Sequence, residues 1–402
     1  MTARRLVVVG GSLAGFRAVE AARRAGFDGE VVLVSAEPHP PYDRPPLTKE
    51  LLDPDRPPDI PAYLPGGAPA YRKLGVGLRL GEPARGLDPD ARRVRVGDRE
   101  LGYDALVIAT GAHPRRPAAL PRLPGVHVLR TVDDALAVRA ALDAGARTVV
   151  VGGGFVGAEV ASAARRRGLP VTVVEARATP LVRAVGERVG ALCAAAHARA
   201  GTELRCGVEV VGAEGDGRVE RVRLSDGDTL PADLLVVGVG AEPATGWLAG
   251  SGLPLRDGVV CDTTLSTGAD GVFAAGDVMR WYNAAVGGET RLEHWSSAAE
   301  GAAVAGHNAV TDGPLRAFET IPYFWSDLYG ARVQFVGVPD GDRVEVLGDP
   351  DQGRFAALYH LDGVLVGVLT VGWRPPAARF RALVRRRAGR GESLALAARG
   401  LA

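Results

Sequence analysis

Cysteine is almost missing from this 402-residue chain, which has Cys193, Cys206 and Cys261 and no others. They form no CxxC pair and no metal-ligand spacing, so a sequence-local dithiol is excluded and no metal site is expected. An excess of either charge is also lacking, with Lys+Arg 48 against Asp+Glu 47. That balance removes the electrostatic case for binding nucleic acid or a membrane surface. No uninterrupted apolar run reaches membrane-spanning length, and Met1-Thr2-Ala3-Arg4-Arg5 leads straight into a strand pattern without signal-peptide features. A soluble, cytoplasmic protein is the expectation. Methionine and lysine are scarce while Ala, Gly and Arg abound, a bias that a GC-rich genome produces. The length exceeds what one core serves and implies roughly two or three domains.

What is present is organised around Thr148 to Glu175. Thr148-Val149-Val150-Val151 is an unbroken β-branched run suited to a parallel strand buried on both faces. Gly152, Gly154 and Gly157 follow at GxGxxG spacing, with Phe155 and Val156 between them, and a helical pattern then leads to a second strand ending at Glu175. This order predicts a dinucleotide fold: a tight turn, close approach of a pyrophosphate to the backbone, and close packing of helix on strand. Free N–H groups at the helix start would meet the phosphates. Glu175 would accept both ribose hydroxyls and repel a 2′-phosphate, so NADH is favoured over NADPH, although Arg177 and Arg183 leave some NADPH use open. Val239 and Gly240, ending the strand pattern from Asp233, would complete the NAD crevice.

The N-terminus repeats the pattern. Leu6 to Val9 reads as a strand, Gly10-Gly11-Ser12-Leu13-Ala14-Gly15 as the turn, Phe16 to Ala25 as the helix, and Val31 to Ser35 as the next strand, with Glu37 beyond it. Ser12 stands where the middle glycine belongs. Two dinucleotide folds in one chain suggest two dinucleotides, FAD and NAD. Two distant pieces extend the first fold: Asp104 to Ile108 running into Ala109-Thr110-Gly111, and Gly271 to Ala275 running into Gly276-Asp277, whose carboxylate suits the hydroxyls of a ribityl chain. Halves of one fold on both sides of another describe an inserted domain. The expected division is FAD binding in 1–114 and 243–318, NAD binding in 115–242, and a small α+β interface domain in 319–402. The fold class is α/β with two Rossmann-like domains.

At this point the chain resembles the ferredoxin reductase family of FAD/NADH flavoproteins, which includes putidaredoxin reductase and the reductases of aromatic-ring dioxygenases. The resemblance is carried by Pro41-Tyr42-Asp43-Arg44-Pro45-Pro46-Leu47-Thr48-Lys49, with Thr48 where the family has Ser; by Arg291-Leu292-Glu293-His294-Trp295-Ser296-Ser297-Ala298; and by Tyr323-Phe324-Trp325-Ser326-Asp327-Leu328-Tyr329. It implies that Ala14, Glu37, Arg44, Lys49, Arg130, Asp277 and Trp295 contact FAD, with Ala84 touching the adenine through backbone. It also implies that Glu159 and Glu293 orient the nicotinamide carboxamide. Lys49, Glu159 and Trp295 become the candidate catalytic residues. A cation at Lys49 would stabilise negative charge developing on the flavin, and Arg44 could pair with phosphate.

Related disulfide reductases carry a cysteine pair just after the first βαβ unit, and NADH peroxidases and oxidases a single cysteine, whereas this chain has Pro46-Leu47-Thr48-Lys49. Without a thiol relay, the family's use of such a site is single-electron release to an iron-sulfur ferredoxin, with a haem monooxygenase or ring-hydroxylating oxygenase downstream. Arg374, Arg379, Arg381, Arg385, Arg386, Arg387 and Arg390 are read either as a solvated face or as a landing surface for an acidic ferredoxin, with Trp325 near the flavin edge. Gly372-Trp373-Arg374-Pro375 departs from the family's Asn-Arg-Pro string. Two other readings stay open: an NADH oxidase or diaphorase using oxygen or quinone, and an NADH-sensing flavoprotein of the apoptosis-inducing type. The chain is expected to be a monomer or homodimer.

Overall fold

The structure, a computed structural model, describes residues 4–373 and 377–401. Arg374 and Pro375 of the basic segment, and Met1 to Ala3, lie outside the described residues. Two compact units result: Met1–Asp43 with Pro61–His113 and Glu242–Pro322, and Arg44–Ile60 with Pro114–Ala241 and Tyr323–Ala402.

The first unit is built on five parallel strands in the order Val272–Ala274, Ala105–Ile108, Arg5–Val9, Glu30–Val34, Val76–Arg79. Parallel strands covered on both faces need continuous apolar runs. Leu6, Val7 and Val8 in the central strand are accordingly fully buried. Helices Leu13–Arg24 and Trp295–Asn308 both pack into this core. A three-stranded antiparallel meander, Ala84–Asp88, Arg93–Val96 and Arg99–Gly102, branches off before the strand Ala105–Ile108.

The second unit repeats the design with Glu203–Cys206, Val171–Glu175, Thr148–Val151, Leu234–Val237 and Val126–Val128, again all parallel. Its meander is Val210–Glu214, Arg221–Leu224 and Thr229–Pro231. The two folds differ in where the last strand of the sheet comes from. In the first it lies after the insertion, at 272–274, and in the second it precedes the glycine turn, at 126–128.

Residues 323–402 open with a five-stranded antiparallel sheet, ordered Tyr323–Leu328, Ala331–Gly337, Val364–Val371, Arg354–Leu361, Arg343–Asp349, followed by helices Ala377–Arg385 and Arg390–Leu401. Its inner face shares a core with the central fold, where Val185, Val189 and Cys193 meet Phe335, Phe355 and Tyr359. The rings of Phe155, Phe324, Phe335 and Tyr359 form a continuous chain, with centroids 4.9, 5.3 and 5.5 Å apart. That shared apolar burial is why the C-terminal segment and the NAD fold cluster as one unit.

Residues 44–60, which the sequence division leaves within the first fold, are fastened to the second unit by arginine. The Arg139 guanidinium donates to the carbonyls of Leu51, Asp53 and Arg56 at 2.8–2.9 Å, and Arg167 donates to that of Leu52 at 2.7 Å.

Candidate active site

Both glycine turns have the predicted geometry, and together they explain the serine. A Cβ on Gly157 would lie 2.1 Å from the Gly152 carbonyl oxygen, and one on Gly15 would lie 1.8 Å from that of Gly10. Any side chain at the third glycine would therefore push helix off strand. The middle position is different. Ser12 has φ −130° and Gly154 φ −79°, both open to any residue, so Ser12 needs only space. At Gly154 that space exists, since a Cβ there meets nothing within 4 Å.

This opening lies at the start of helix Phe155–Arg166. The first helical bond there is Ala158 N–H to the Gly154 carbonyl at 3.0 Å, so the N–H groups of Phe155, Val156 and Gly157 have no intrahelical acceptor. Val156 is 37% exposed beside them. A cradle lined with oriented N–H donors fits a dinucleotide pyrophosphate. At the end of the neighbouring strand the Glu175 carboxylate accepts from Gly153 N–H at 2.7 Å and Arg177 N–H at 2.9 Å. These bonds set its orientation and keep further acceptor capacity for ribose hydroxyls. The Arg183 guanidinium passes close over Gly240, 2.8 Å from where a Cβ would sit, and Val239 is half-buried beside it.

Glu159, on the same helix, is buried, with its side chain 5% exposed. The Lys49 ammonium lies 2.8 Å from its Oε1, the Ser326 hydroxyl donates to the same oxygen, and the Thr48 hydroxyl donates to Oε2. The Asp327 N–H approaches Oε1 at 3.5 Å. An ionised carboxylate this deep requires such partners, because desolvation costs several kcal/mol per ion. Lys49 also donates to the Pro45 carbonyl at 3.4 Å. An ammonium has three N–H donors, so one is left for a bound group.

The first unit gathers most of the residues assigned to FAD. Ser12, Leu13, Ala14 and Gly15 open the first helix, and a Cβ on Gly276 would lie 2.9 Å from that of Ala14. Ala109 is buried behind the turn, and the Thr110 hydroxyl donates to the Ala244 carbonyl at 2.9 Å, next to Gly111. Glu37 accepts a bond from the Tyr42 hydroxyl, and Asp277 is half-buried in the turn after Gly276. Trp295 Nε1 donates to Asp43 Oδ1 at 2.8 Å, and the Tyr63 hydroxyl donates to the same oxygen at 2.8 Å. Ala84 begins the meander. A helix start, two strand-end carboxylates and a small-residue turn form a donor and acceptor set that suits FAD. Arg44 and Arg130 belong to the second unit, where an Arg44 N–H meets the Arg130 carbonyl at 2.6 Å. Glu293 belongs to the first, its carboxylate 2.9 Å from the Arg291 guanidinium.

Sequence reasoning missed three side chains here: Asp43, Thr48 and Ser326. Only Ser326 left a local signal, as a polar residue on the strand face that Phe324 and Leu328 share.

Burial holds the thiols of Cys193 and Cys261 protonated, each pushed up to about 12, and raises that of Cys206. Of the arginines after Trp373, Arg386 pairs with Glu392 and Arg390 with Glu345, while Arg379, Arg385 and Arg387 are exposed and Arg381 is half-buried. The ring of Trp325 lies under the Arg332 guanidinium at 5.6 Å. Among the described residues no helix is long and apolar enough to cross a membrane, and no group of three or more His, Cys, Asp or Glu could hold a metal.

The family model for pyridine nucleotide-disulphide oxidoreductases matches residues 4–302, and one described as reductase C-terminal matches 323–398. The chain belongs to the pyridine nucleotide-disulphide oxidoreductase family. This oxidoreductase is 37% identical to a rhodocoxin reductase of Rhodococcus erythropolis over 91% of its own length and 86% of the relative's. It is 36% identical to the ferredoxin–NAD(+) reductase component of the biphenyl dioxygenase system of Paraburkholderia xenovorans, over 89% and 86%. Among solved structures it resembles the reductase in a covalent putidaredoxin reductase–putidaredoxin complex, at TM-score 0.91 and 30% identity over 98% and 95% of the two chains. The ferredoxin reductase of the CYP199A2 system of Rhodopseudomonas palustris gives TM-score 0.89 and 30% identity, over 96% and 95%. The segment Pro46–Lys49 of this chain holds no cysteine.

Proposed function

We propose that this oxidoreductase is an FAD-dependent NADH:ferredoxin reductase. The observation that carries the reading is the Pro46–Lys49 segment, where Thr48 and Lys49 are committed to Glu159 and no thiol stands ready to take electrons. Relatives of similar length and domain make-up are named for passing electrons to ferredoxins, which supports the same route here. When bound, the two dinucleotides would supply hydride transfer from NADH to FAD and single-electron release from the flavin.

The chain's own contribution is binding and orientation. Helix N-termini after Ser12 and Gly154 hold the two pyrophosphates, and Glu37 and Glu175 take the ribose hydroxyls. Lys49 puts positive charge where negative charge develops on the flavin. Glu159 and Glu293 would direct the nicotinamide carboxamide, and Trp295, fixed by Asp43, would contact FAD. Arg379, Arg385 and Arg387, all exposed, offer an acidic ferredoxin a landing face, with Trp325 toward the flavin edge. The ferredoxin would feed a haem monooxygenase or ring-hydroxylating oxygenase in the cytoplasm, with the reductase acting as a monomer or homodimer.

An anaerobic absorbance titration tests this. Protein reconstituted with FAD should bleach with NADH and recover its absorbance as an oxidised ferredoxin is reduced. Bleaching that oxygen or quinone reverses rapidly while no ferredoxin does would favour the oxidase reading. Bleaching followed by stable dimerisation without turnover would favour the sensing one.

A further inference from the structure

Strand Tyr323–Leu328 alternates. Tyr323 and Trp325 stack on one face with centroids 5.9 Å apart, while Phe324, Ser326 and Leu328 lie on the other. Phe324 and Leu328 meet the apolar core around helix Phe155–Arg166. Ser326 lies between them with no exposed surface. A hydroxyl in that position must find a partner or carry an uncompensated desolvation cost. Its partner is Glu159 Oε1, the oxygen that also faces Lys49. Thr48, 7% exposed, takes the other oxygen. One carboxylate is thus gripped from two sides, by the loop of residues 44–60 and by the C-terminal sheet.

We propose that Thr48 and Ser326 are positioning residues for hydride transfer: their hydroxyls fix both oxygens of the Glu159 carboxylate and thereby the place of the Lys49 ammonium bonded to it. The proposal rests on the reading above that Lys49 meets the flavin. It gives the C-terminal domain a part in the flavin chemistry separate from any docking. The two oxygens also become inequivalent. Oε1 receives Lys49, Ser326 and the Asp327 N–H, whereas Oε2 receives Thr48 and, among the described residues, keeps a lone pair for one more donor, which a nicotinamide carboxamide N–H₂ would supply.

Composition provides a direct readout. Lys49 and Lys73 are the two lysines of the chain, and Lys73 is exposed. Holoenzyme labelled with ¹³C at the lysine ε-carbon therefore gives two lysine signals, one from the site and one internal control. The variants are Ser326→Ala, Thr48→Val, which is isosteric and lacks the hydroxyl, and Thr48→Ser, which restores it. Flavin content and melting temperature establish that each is folded.

The Lys49 signal should shift in Ser326→Ala and Thr48→Val and return toward its original position in Thr48→Ser, with Lys73 unmoved throughout. Anaerobic reduction by NADH should slow roughly tenfold in the first two variants, less than the ~10²-fold that a displacement of about 1 Å can cost, and recover with Thr48→Ser. A Lys49 signal unmoved in folded Ser326→Ala and Thr48→Val would overturn the proposal. So would equal impairment of Thr48→Ser and Thr48→Val, because packing and not the hydroxyl would then be at work. If Lys49→Met is reduced by NADH as fast as the parent, the assignment of Lys49 to the flavin fails, and the role in hydride transfer fails with it whatever the signals do.

Discussion

Glu175 accepts two backbone N–H bonds, from Gly153 and Arg177, before any ligand arrives. It therefore anchors the glycine turn, and in the proposed reading it also offers oxygen to a ribose. Glu175→Gln keeps one acceptor oxygen and removes the charge that repels a 2′-phosphate. The expected outcome is a higher KM for NADH and an NADH-over-NADPH preference narrowed about tenfold, or ~1.4 kcal/mol. Matched steady-state kinetics check this, and an unchanged preference would remove Glu175 from the ribose site. His197 makes a different residue-level case. It is 2% exposed, its Nδ1 lies 2.8 Å from the Tyr329 hydroxyl, and burial lowers its pKa to about 4. The unfolded chain binds that proton near pH 6.5, so the stability contribution is complete above 6.5 and is lost as pH falls toward 4, about 3 kcal/mol in all. Half-buried His294, whose pKa desolvation also lowers to about 4, acts in the same direction. Melting temperature should fall across this window, and more shallowly in His197→Asn. An identical slope in that variant would exclude His197 as a source.

At the scale of elements, the segment 44–60 carries Thr48 and Lys49 on a stretch with little regular structure, a short turn at Pro45–Thr48 being its one helical piece. Its prolines stiffen it locally, but Arg139 and Arg167 hold it in place through carbonyls along its length. Bonds from a charged donor are worth about 1.5–3 kcal/mol each, so Arg139→Ala should loosen this segment by a few kcal/mol. Hydrogen exchange should accelerate in 44–60 with the central sheet unaffected, and NADH reduction should slow because Lys49 loses its footing. Exchange that accelerates throughout the second unit would mean that Arg139 serves global stability instead. The C-terminal sheet is joined to its neighbour by a chain of rings and by the Tyr359 hydroxyl, which donates to the Val185 carbonyl at 2.6 Å.

For the whole molecule, the proposed electron route leaves cysteine out, in keeping with the burial that holds Cys193 and Cys261 protonated. Treatment of the native holoenzyme with iodoacetamide should leave NADH-to-ferredoxin turnover unchanged, and strong inhibition would contradict a thiol-free route. A landing face of exposed arginines predicts that ferredoxin reduction weakens as salt rises while reduction by NADH alone does not, since screening at ~0.15 M acts over about 8 Å. Stopped-flow measurement of the two half-reactions across ionic strength separates them, and parallel curves would dissociate Arg379, Arg385 and Arg387 from docking.

Both dinucleotide folds were legible in the sequence because their signals are short-range: a β-branched run, glycines at fixed spacing, a helix and a terminal acid fall within about thirty residues. Even the departure at Ser12 is explained by local backbone, since φ −130° suits serine. That Pro46–Lys49 holds no cysteine was equally plain. Tertiary structure alone decided how Glu159 is used. Its bonds to Thr48 and Ser326 span 111 and 167 residues, and no local propensity encodes which loop and which strand will meet one helix. The grouping of residues 44–60 and of the C-terminal sheet with the NAD fold was decided in the same way, by arginine–carbonyl bonds and apolar burial between segments far apart in the chain.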